Sequence, residues 1–315
     1  MLSPRESPKS YPNFFKDLEK RFPLLVSPKL DGIRMIVKPD EITEVSIDLD
    51  VSHTIGDYVC KSREFINLPS IQVQQLFSKC YELDGEIIEG CETDKNVFNR
   101  TQSYIMSENK PSDNIMFRVF DTADEEFADI PFETRLQLAE QQVILLNDPK
   151  VTIVHHEMCH NLEELLSIEE RWLSIGYEGL MIRNPEGRYK HGRGTWKEGL
   201  IYKLKRFEDI ELQVLGFIEQ QHNTNIDVRD NLGGAKRSTA KEGMVDAGTL
   251  GKFISMYNGE LCEIALGTMK HDERQLVWNN QDKYLNKWFT CRFFPHGMKN
   301  KLRIPRYIGW RTKGF

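Results

Sequence analysis

The nine residues Val26-Ser27-Pro28-Lys29-Leu30-Asp31-Gly32-Ile33-Arg34 constrain this chain more than any other stretch. They set a lysine, an acid, a glycine and an arginine within a few positions of one another. A lysine ammonium is no nucleophile until it loses its proton. Burial, or a neighbouring cation or metal, lowers its pKa and exposes the amine lone pair. Gly32 lets the backbone approach a ligand closely, and Arg34 offers a planar fork for phosphate or ribose oxygens. Taken alone, the segment also fits a strand end running into an Asp-Gly turn.

Four further segments follow in order. Tyr81-Glu82-Leu83-Asp84-Gly85-Glu86-Ile87-Ile88 is strand-like and acidic. Phe117-Arg118-Val119-Phe120-Asp121 is an aromatic strand ending in an acid. Glu178-Gly179-Leu180-Met181-Ile182-Arg183 follows a helical pattern, and Ile201-Tyr202-Lys203-Leu204-Lys205-Arg206 carries alternating lysines. With these five segments in register, the chain resembles the covalent nucleotidyltransferase superfamily. Within it, the chain is similar to the short ATP-dependent DNA ligases of bacteriophages, from about Pro23 to Phe315.

That resemblance implies an α+β fold: a nucleotidyltransferase (adenylation) domain with antiparallel sheets and flanking helices, then a C-terminal OB-fold β-barrel. It implies that Lys29 accepts AMP from ATP, with Asp31, Lys203 and Lys205 also catalytic. Lys203 and Lys205 stand two apart on a strand and so share a face. The resemblance turns that face toward the α-phosphate; by themselves they also fit a solvated strand face. Ser27, Leu30, Arg34, Glu86, Phe120 and Glu178 would complete the ATP site, with Phe120 stacking on adenine and Arg34 near ribose or the 5′-phosphate of a nick. Glu178 and Glu86 would direct Mg²⁺ or Mn²⁺. Away from these motifs, a glutamate is usually a surface residue and a phenylalanine usually core.

The chain departs from the family pattern twice. Many relatives carry an acid two residues before the nucleophile, where this chain has Ser27. Relatives often end in an R-x-D-K-like element; here Leu302 to Lys313 holds basic residues and no acid.

The expected partner is nicked double-stranded DNA, yet the formal net charge is -6. The charge is unevenly placed. Residues 1–208 hold 26 basic and 36 acidic side chains, and residues 209–315 hold 16 and 12, so the second part is positive by 4. From Lys283 onward there are nine basic residues and no acid, interleaved with Trp288, Phe289, Phe293, Phe294, Tyr307 and Trp310. A basic, aromatic surface suits phosphate backbones, although a barrel strand pair with a solvated face has the same composition. Arg63, Lys236, Arg237, Arg303, Arg306 and Arg311 are the candidate DNA contacts.

The division expected is 1–208 for adenylation and 209–315 for the OB-fold, with a DNA-contacting insert at about 220–246. Strands are expected at Phe22 to Val26, Arg34 to Val37, Glu44 to Leu49, Leu212–Ile218, Gly248–Tyr257, Leu261–Ala265 and Trp288–Phe294. Helices are expected at Leu68 to Cys80 and Phe132 to Leu145, and another between an Asn161 N-cap and a Gly176 C-cap. No apolar run is long enough to span a membrane, and no signal peptide is evident. The six scattered cysteines form no Cys-x-x-Cys pair, which argues against structural zinc and a disulfide framework and points to a reducing cytoplasm; a monomer is expected. His156-Glu157-Met158-Cys159-His160 matches a zinc-protease pattern that works only on a helix. The lead-in Val151-Thr152-Ile153-Val154 reads as a strand, on which residues four apart are separated by about 13 Å.

Other functions stay open. A GTP-dependent mRNA capping guanylyltransferase shares the domain pair and the lysine chemistry. An RNA ligase shares the first domain. A non-catalytic DNA-end-binding module would lack the intact lysines and acids. An NAD-dependent ligase would need more than the roughly 25 residues that precede the first motif.

Overall fold

A computed structural model describes residues 1–4, 8, 11–40, 57–225, 227–229, 235–237, 241–267, 269–295, 298 and 300–311, with 227–229 and 235–237 described by backbone alone. The strand expected at Glu44 to Leu49 lies outside the described residues. Chain contacts divide the protein into two compact units, Met1–Arg206 and Phe207–Phe315.

The first unit holds strands β1 (Leu24–Pro28), β2 (Ile33–Pro39), β3 (Tyr58–Ser62), β4 (Leu83–Glu89), β5 (Ile115–Thr122), β6 (Val151–Ile153), β7 (Glu157–Cys159), β8 (Leu180–Arg183) and β9 (Ile201–Leu204). Its helices are α1 (Phe14–Leu18), α2 (Ile71–Phe77), α3 (Val97–Ile105), α4 (Phe132–Leu146) and α5 (Leu162–Ile175). One sheet runs β3-β2-β4-β5-β6 and the other β7-β1-β8-β9. All pairings are antiparallel except β5 with β6.

Period-2 alternation decides which side chains the larger sheet gives to its core and which to its other face. Met35 and Val37 of β2, Leu83 and Ile87 of β4, and Phe117 and Val119 of β5 join a core with Val73, Phe77 and Tyr104. The intervening Arg34, Asp84, Glu86 and Phe120 take the opposite face. Register sets Arg34 against Glu86, and Asp84 against Asp121. The smaller sheet has its own core of Phe14, Leu24, Val26, Leu165, Leu180, Ile182 and Tyr202.

Helix α5 has the expected caps: Asn161 accepts from the Glu164 amide at 2.8 Å, and Gly176 closes it at φ 111°. Helix α2 is shorter than the expected Leu68 to Cys80. Pro69 disfavours the α conformation for Leu68. Leu68 therefore stays extended, its amide on the Cys60 carbonyl at 2.9 Å, and Ser70 caps the helix.

The second unit holds β10 (Glu208–Gln213), β11 (Gly216–Asn223), β12 (Asp227–Arg229), β13 (Ala235–Arg237), β14 (Met244–Tyr257), β15 (Glu260–Ala265), β16 (Trp288–Phe294) and β17 (Arg303–Trp310), with α6 (His271–Asn279) and α7 (Gln281–Tyr284). The sheet order is β10-β16-β17-β15-β14-β11, beside a separate β12-β13 hairpin. Two expectations need correction. Leu212–Ile218 is not one strand: β10 pairs β16, β11 pairs β14, and the chain changes partner at Val214 and Leu215. The stretch Leu212-Gln213-Val214-Leu215-Gly216-Phe217-Ile218 is apolar nearly throughout and so does not mark the change. The barrel is also not closed, since no ladder joins β10 to β11 among the described residues. OB-folds are partly open in this way.

The aromatic tail is mostly core. Phe289, Phe293, Phe294 and Tyr307 are buried, whereas Trp288 is 45% exposed. Among the described cations of this stretch, Lys287 lies 4.7 Å from the Trp310 ring centroid and Arg303 5.4 Å from that of Phe294. Among the described residues no helix is long and apolar enough to cross a membrane.

Candidate active site

Lys29 lies in the turn between β1 and β2. Its amide donates to the Gly179 carbonyl at 2.8 Å, which ties the turn to the loop entering β8. Only glycine fits at two points of this junction. A Cβ on Gly32 would stand 2.3 Å from the Ile87 carbonyl oxygen, and one on Gly179, at φ +150°, would stand 2.2 Å from that of Leu204.

The Lys29 ammonium donates to Glu178 and to the Leu30 carbonyl at 3.3 Å. Lys205 donates to the other Glu178 oxygen at 2.9 Å. One carboxylate, only 2% exposed, thus serves two ammonium groups. Burial alone would raise the Glu178 pKa, but Lys29 and Lys205 hold it down at about 2. Burial alone would lower the Lys29 pKa, but the charges of Glu178, Glu86 and Asp31 leave it raised. The resting amine is therefore protonated and not nucleophilic. Glu86 is pushed up to about 7, chiefly by burial and further by Glu178 and Asp31, against the pull of Lys29 and Arg34.

Lys203 is placed differently from expectation. β9 ends at Leu204, so Lys205 lies just beyond the strand, and the two lysines do not converge on Glu178. The Lys203 ammonium donates to the Pro4 carbonyl at 2.7 Å. The segment before Pro4 is pinned by a Leu2–Arg193 bridge and by Arg34, which donates to the Met1 carbonyl.

Arg34 is more engaged than its sequence context shows. Its fork grips Asp84, with Nε at 2.8 Å and Nη2 at 2.5 Å, and Tyr189 donates to the same carboxylate at 2.9 Å. Beside it lies a second buried group that sequence reasoning missed. Asp121 receives Arg135 at 2.9 Å and Arg183 at 2.5 Å. Arg183 in turn lies 4.4 Å from the Phe132 ring centroid and 5.4 Å from that of Phe120. Asp84, Asp121 and Arg183 each stand in a motif segment, and that position was the available signal. Arg135 gave none, because a helical arginine reads as surface. Asp121 and Arg135 are both fully buried, so Asp121→Ala should destabilise the fold by about 3–5 kcal/mol by stranding two guanidinium groups. Chemical denaturation of both proteins measures this.

Leu30 is buried in a cluster with Ile88, Val97, Val154 and Tyr177, against which Phe120 packs. Ser27 and Asp31 are buried at 4% and 6% exposure. Arg63 lies on an exposed turn, 3.6 Å from Glu64, outside this cluster. Arg303, Arg306 and Arg311 belong to the second unit. The Lys236 and Arg237 side chains lie outside the described residues. The His156 to His160 stretch is a strand at its centre, so the helix that the zinc pattern requires is not there.

No group of three or more metal-ligating side chains occurs among the described residues. A Mg²⁺ held by one or two carboxylates together with substrate phosphates needs no such cage. Glu86 fits that role in that it lies within electrostatic reach of Glu178, Lys29 and Asp31.

Residues 6–205 match the family model described as the ATP dependent DNA ligase domain. The chain belongs to this family. The match ends one residue short of the first unit's last residue, Arg206. The DNA ligase of Enterobacteria phage T4 is 23% identical to this ligase-family chain over 143 residues, 45% of this chain and 26% of that protein. The DNA ligase of African swine fever virus is 26% identical over 111 residues, 34% of this chain and again 26% of the relative. The alignments thus span about a quarter of each curated relative. Among solved structures, a Lig E DNA ligase aligns over 99% of this chain and 98% of its own, with a TM-score of 0.67 and 19% identity. At that identity the likeness concerns the fold, and it extends through both units.

Proposed function

We propose that this chain is an ATP-dependent DNA ligase that joins 5′-phosphate and 3′-hydroxyl ends at nicks in duplex DNA. One observation carries the proposal: in a member of the ligase-domain family, Lys29 and Lys205 converge on the single buried carboxylate of Glu178. In the first step the Lys29 amine, having lost its proton, attacks the α-phosphorus of ATP. A nitrogen–phosphorus bond forms, the bond to pyrophosphate breaks, and Lys29 carries AMP. In the second, an oxygen of the DNA 5′-phosphate attacks that phosphorus, and Lys29 leaves and regains a proton. In the third, the 3′-hydroxyl attacks the DNA phosphate and AMP departs.

The chain's groups divide this work by position. Incoming phosphate oxygens compete with Glu178 for Lys29 and Lys205. This releases Lys29 from Glu178, its proton passing to solvent before attack, and leaves Lys205 to stabilise charge on the transferring phosphate. Phe120, on the same sheet face as Glu86, offers a ring for adenine. A bound Mg²⁺ would supply further charge neutralisation through Glu86 and Glu178. The protein is taken to act as a monomer in the cytoplasm of its host cell.

Incubation with ATP, Mg²⁺ and a 5′-labelled nicked duplex tests the proposal. Sealing with ATP supports it. Labelling by GTP alone would favour the capping reading, and sealing of RNA but not DNA the RNA ligase reading.

DNA contact is expected from the basic second unit. Replacing Lys236 and Arg237 together with alanine should weaken nick binding and lower the salt slope by up to about two units. Lysyl-AMP formation should persist, because neither residue belongs to the five nucleotide-site segments. Binding isotherms across a salt series check this.

A further inference from the structure

We propose that His156 reads the adenine base of ATP, its Nε2 accepting a hydrogen bond from the 6-amino group. This rests on the ligase reading above and extends it to a residue outside the five motif segments.

The tautomer follows from geometry. Nδ1 lies 2.8 Å from the Val154 carbonyl oxygen. A carbonyl only accepts, so Nδ1 carries the hydrogen and Nε2 is left as a bare acceptor. Nε2 is buried and has no hydrogen-bond partner among the described residues. Buried polar atoms are seldom left unsatisfied, and an exception calls for a functional account.

The location matches the role. β7 pairs with β1 through Leu24 with Cys159, Leu25 with Met158 and Val26 with Glu157. His156 precedes Glu157 and Ser27 follows Val26, so each stands one residue beyond the last pair of this ladder. That serine stands two residues before Lys29 and is itself buried. At about 3.3 Å per residue, this puts Ser27 roughly 7 Å along the chain from the nucleophile, on the scale that separates a nucleotide's base from its α-phosphate. The His156 ring packs edge-on against Phe132, with centroids 5.5 Å apart. Phe132 lies under Arg183, which also reaches Phe120. The imidazole and the ring proposed to stack adenine are therefore linked by two side chains, and Asp121 fixes the arginine between them. Burial, with the Arg183 charge, lowers the His156 pKa to about 3, so the ring stays an acceptor at any working pH.

The chemistry is selective. Adenine offers an amino donor at position 6. Guanine offers a carbonyl there, and two acceptors repel. A purine with only hydrogen at that position leaves Nε2 unsatisfied. Losing such a hydrogen bond at a buried site corresponds to about a ten- to hundredfold change.

The test measures KM and kcat for lysyl-AMP-type labelling, and equilibrium binding by calorimetry, with ATP, GTP and the 6-hydrogen purine triphosphate. Wild type, His156→Leu and His156→Gln are compared. Wild type should prefer ATP over the 6-hydrogen analogue by about ten- to hundredfold. His156→Leu should lose that preference through a raised KM for ATP, with kcat nearly unchanged. His156→Gln, whose side-chain carbonyl also accepts, should keep much of it. Equal preference in wild type and His156→Leu overturns the role of His156 while leaving the ligase reading intact. A uniform loss of kcat for every nucleotide in both variants overturns it in favour of a packing role. Wild-type protein that binds none of the triphosphates overturns both.

Discussion

Lys29→Ala abolishes covalent labelling by ATP, and the variant still seals DNA that already carries a 5′-adenylate. Lys29 supplies the nitrogen of the phosphoramidate, and only the first two of the three steps involve that bond. Lys29→Arg fails equally, because a guanidinium does not deprotonate usefully near neutral pH. The resting amine is protonated, its pKa raised above that of an ordinary lysine by Glu178 against the effect of burial. Wild-type labelling should therefore accelerate as pH rises through the neutral range. Gel assays with α-labelled ATP read the first outcome, and a pre-adenylated nick reads the second. Normal adduct formation by Lys29→Ala would remove Lys29 from the site.

Lys205→Ala should slow adenylation by roughly 10²–10³-fold, the scale of losing one preorganised electrostatic group. The Lys205 side chain is 14% exposed and points at Glu178, the carboxylate it shares with Lys29, and the proposed reaction has it stabilise charge on the α-phosphate. Folding should change less than turnover, because Glu178 keeps Lys29 as a partner. Single-turnover labelling and thermal melting, done side by side, separate the two effects. A large fall in melting temperature with near-normal turnover would make Lys205 a structural ion-pair partner only.

The two outcomes draw on different depths of information. Lys29, Glu178 and Lys205 stand in three motif segments, and their spacing from one another is recoverable by resemblance. Alternation along β2, β4 and β5 also shows why Arg34, Glu86 and Phe120 share a face. The pairing of Arg34 with Asp84, and of Asp121 with two arginines, is not legible in the same way. A buried arginine has the same local sequence as a solvated one, and its partner is set by how strands stack. Lys203 shows the limit most clearly: its carbonyl partner, Pro4, lies 199 residues away in sequence. In the second unit, alternation locates strands but not the change of partner between β10 and β11. The tail's composition fits both a phosphate-contacting surface and a barrel strand pair, and burial places Phe289 and Tyr307 in the core.

The central claim is that Lys29 is the residue that carries AMP. Incubation with ATP and Mg²⁺, followed by proteolysis and mass-spectrometric mapping under conditions that preserve phosphoramidates, tests it most directly. A single AMP adduct is expected on the peptide containing Lys29, discharged when nicked DNA is added. An adduct on Lys203, Lys205 or another residue, or ATP-dependent sealing with no protein adduct at all, would contradict it.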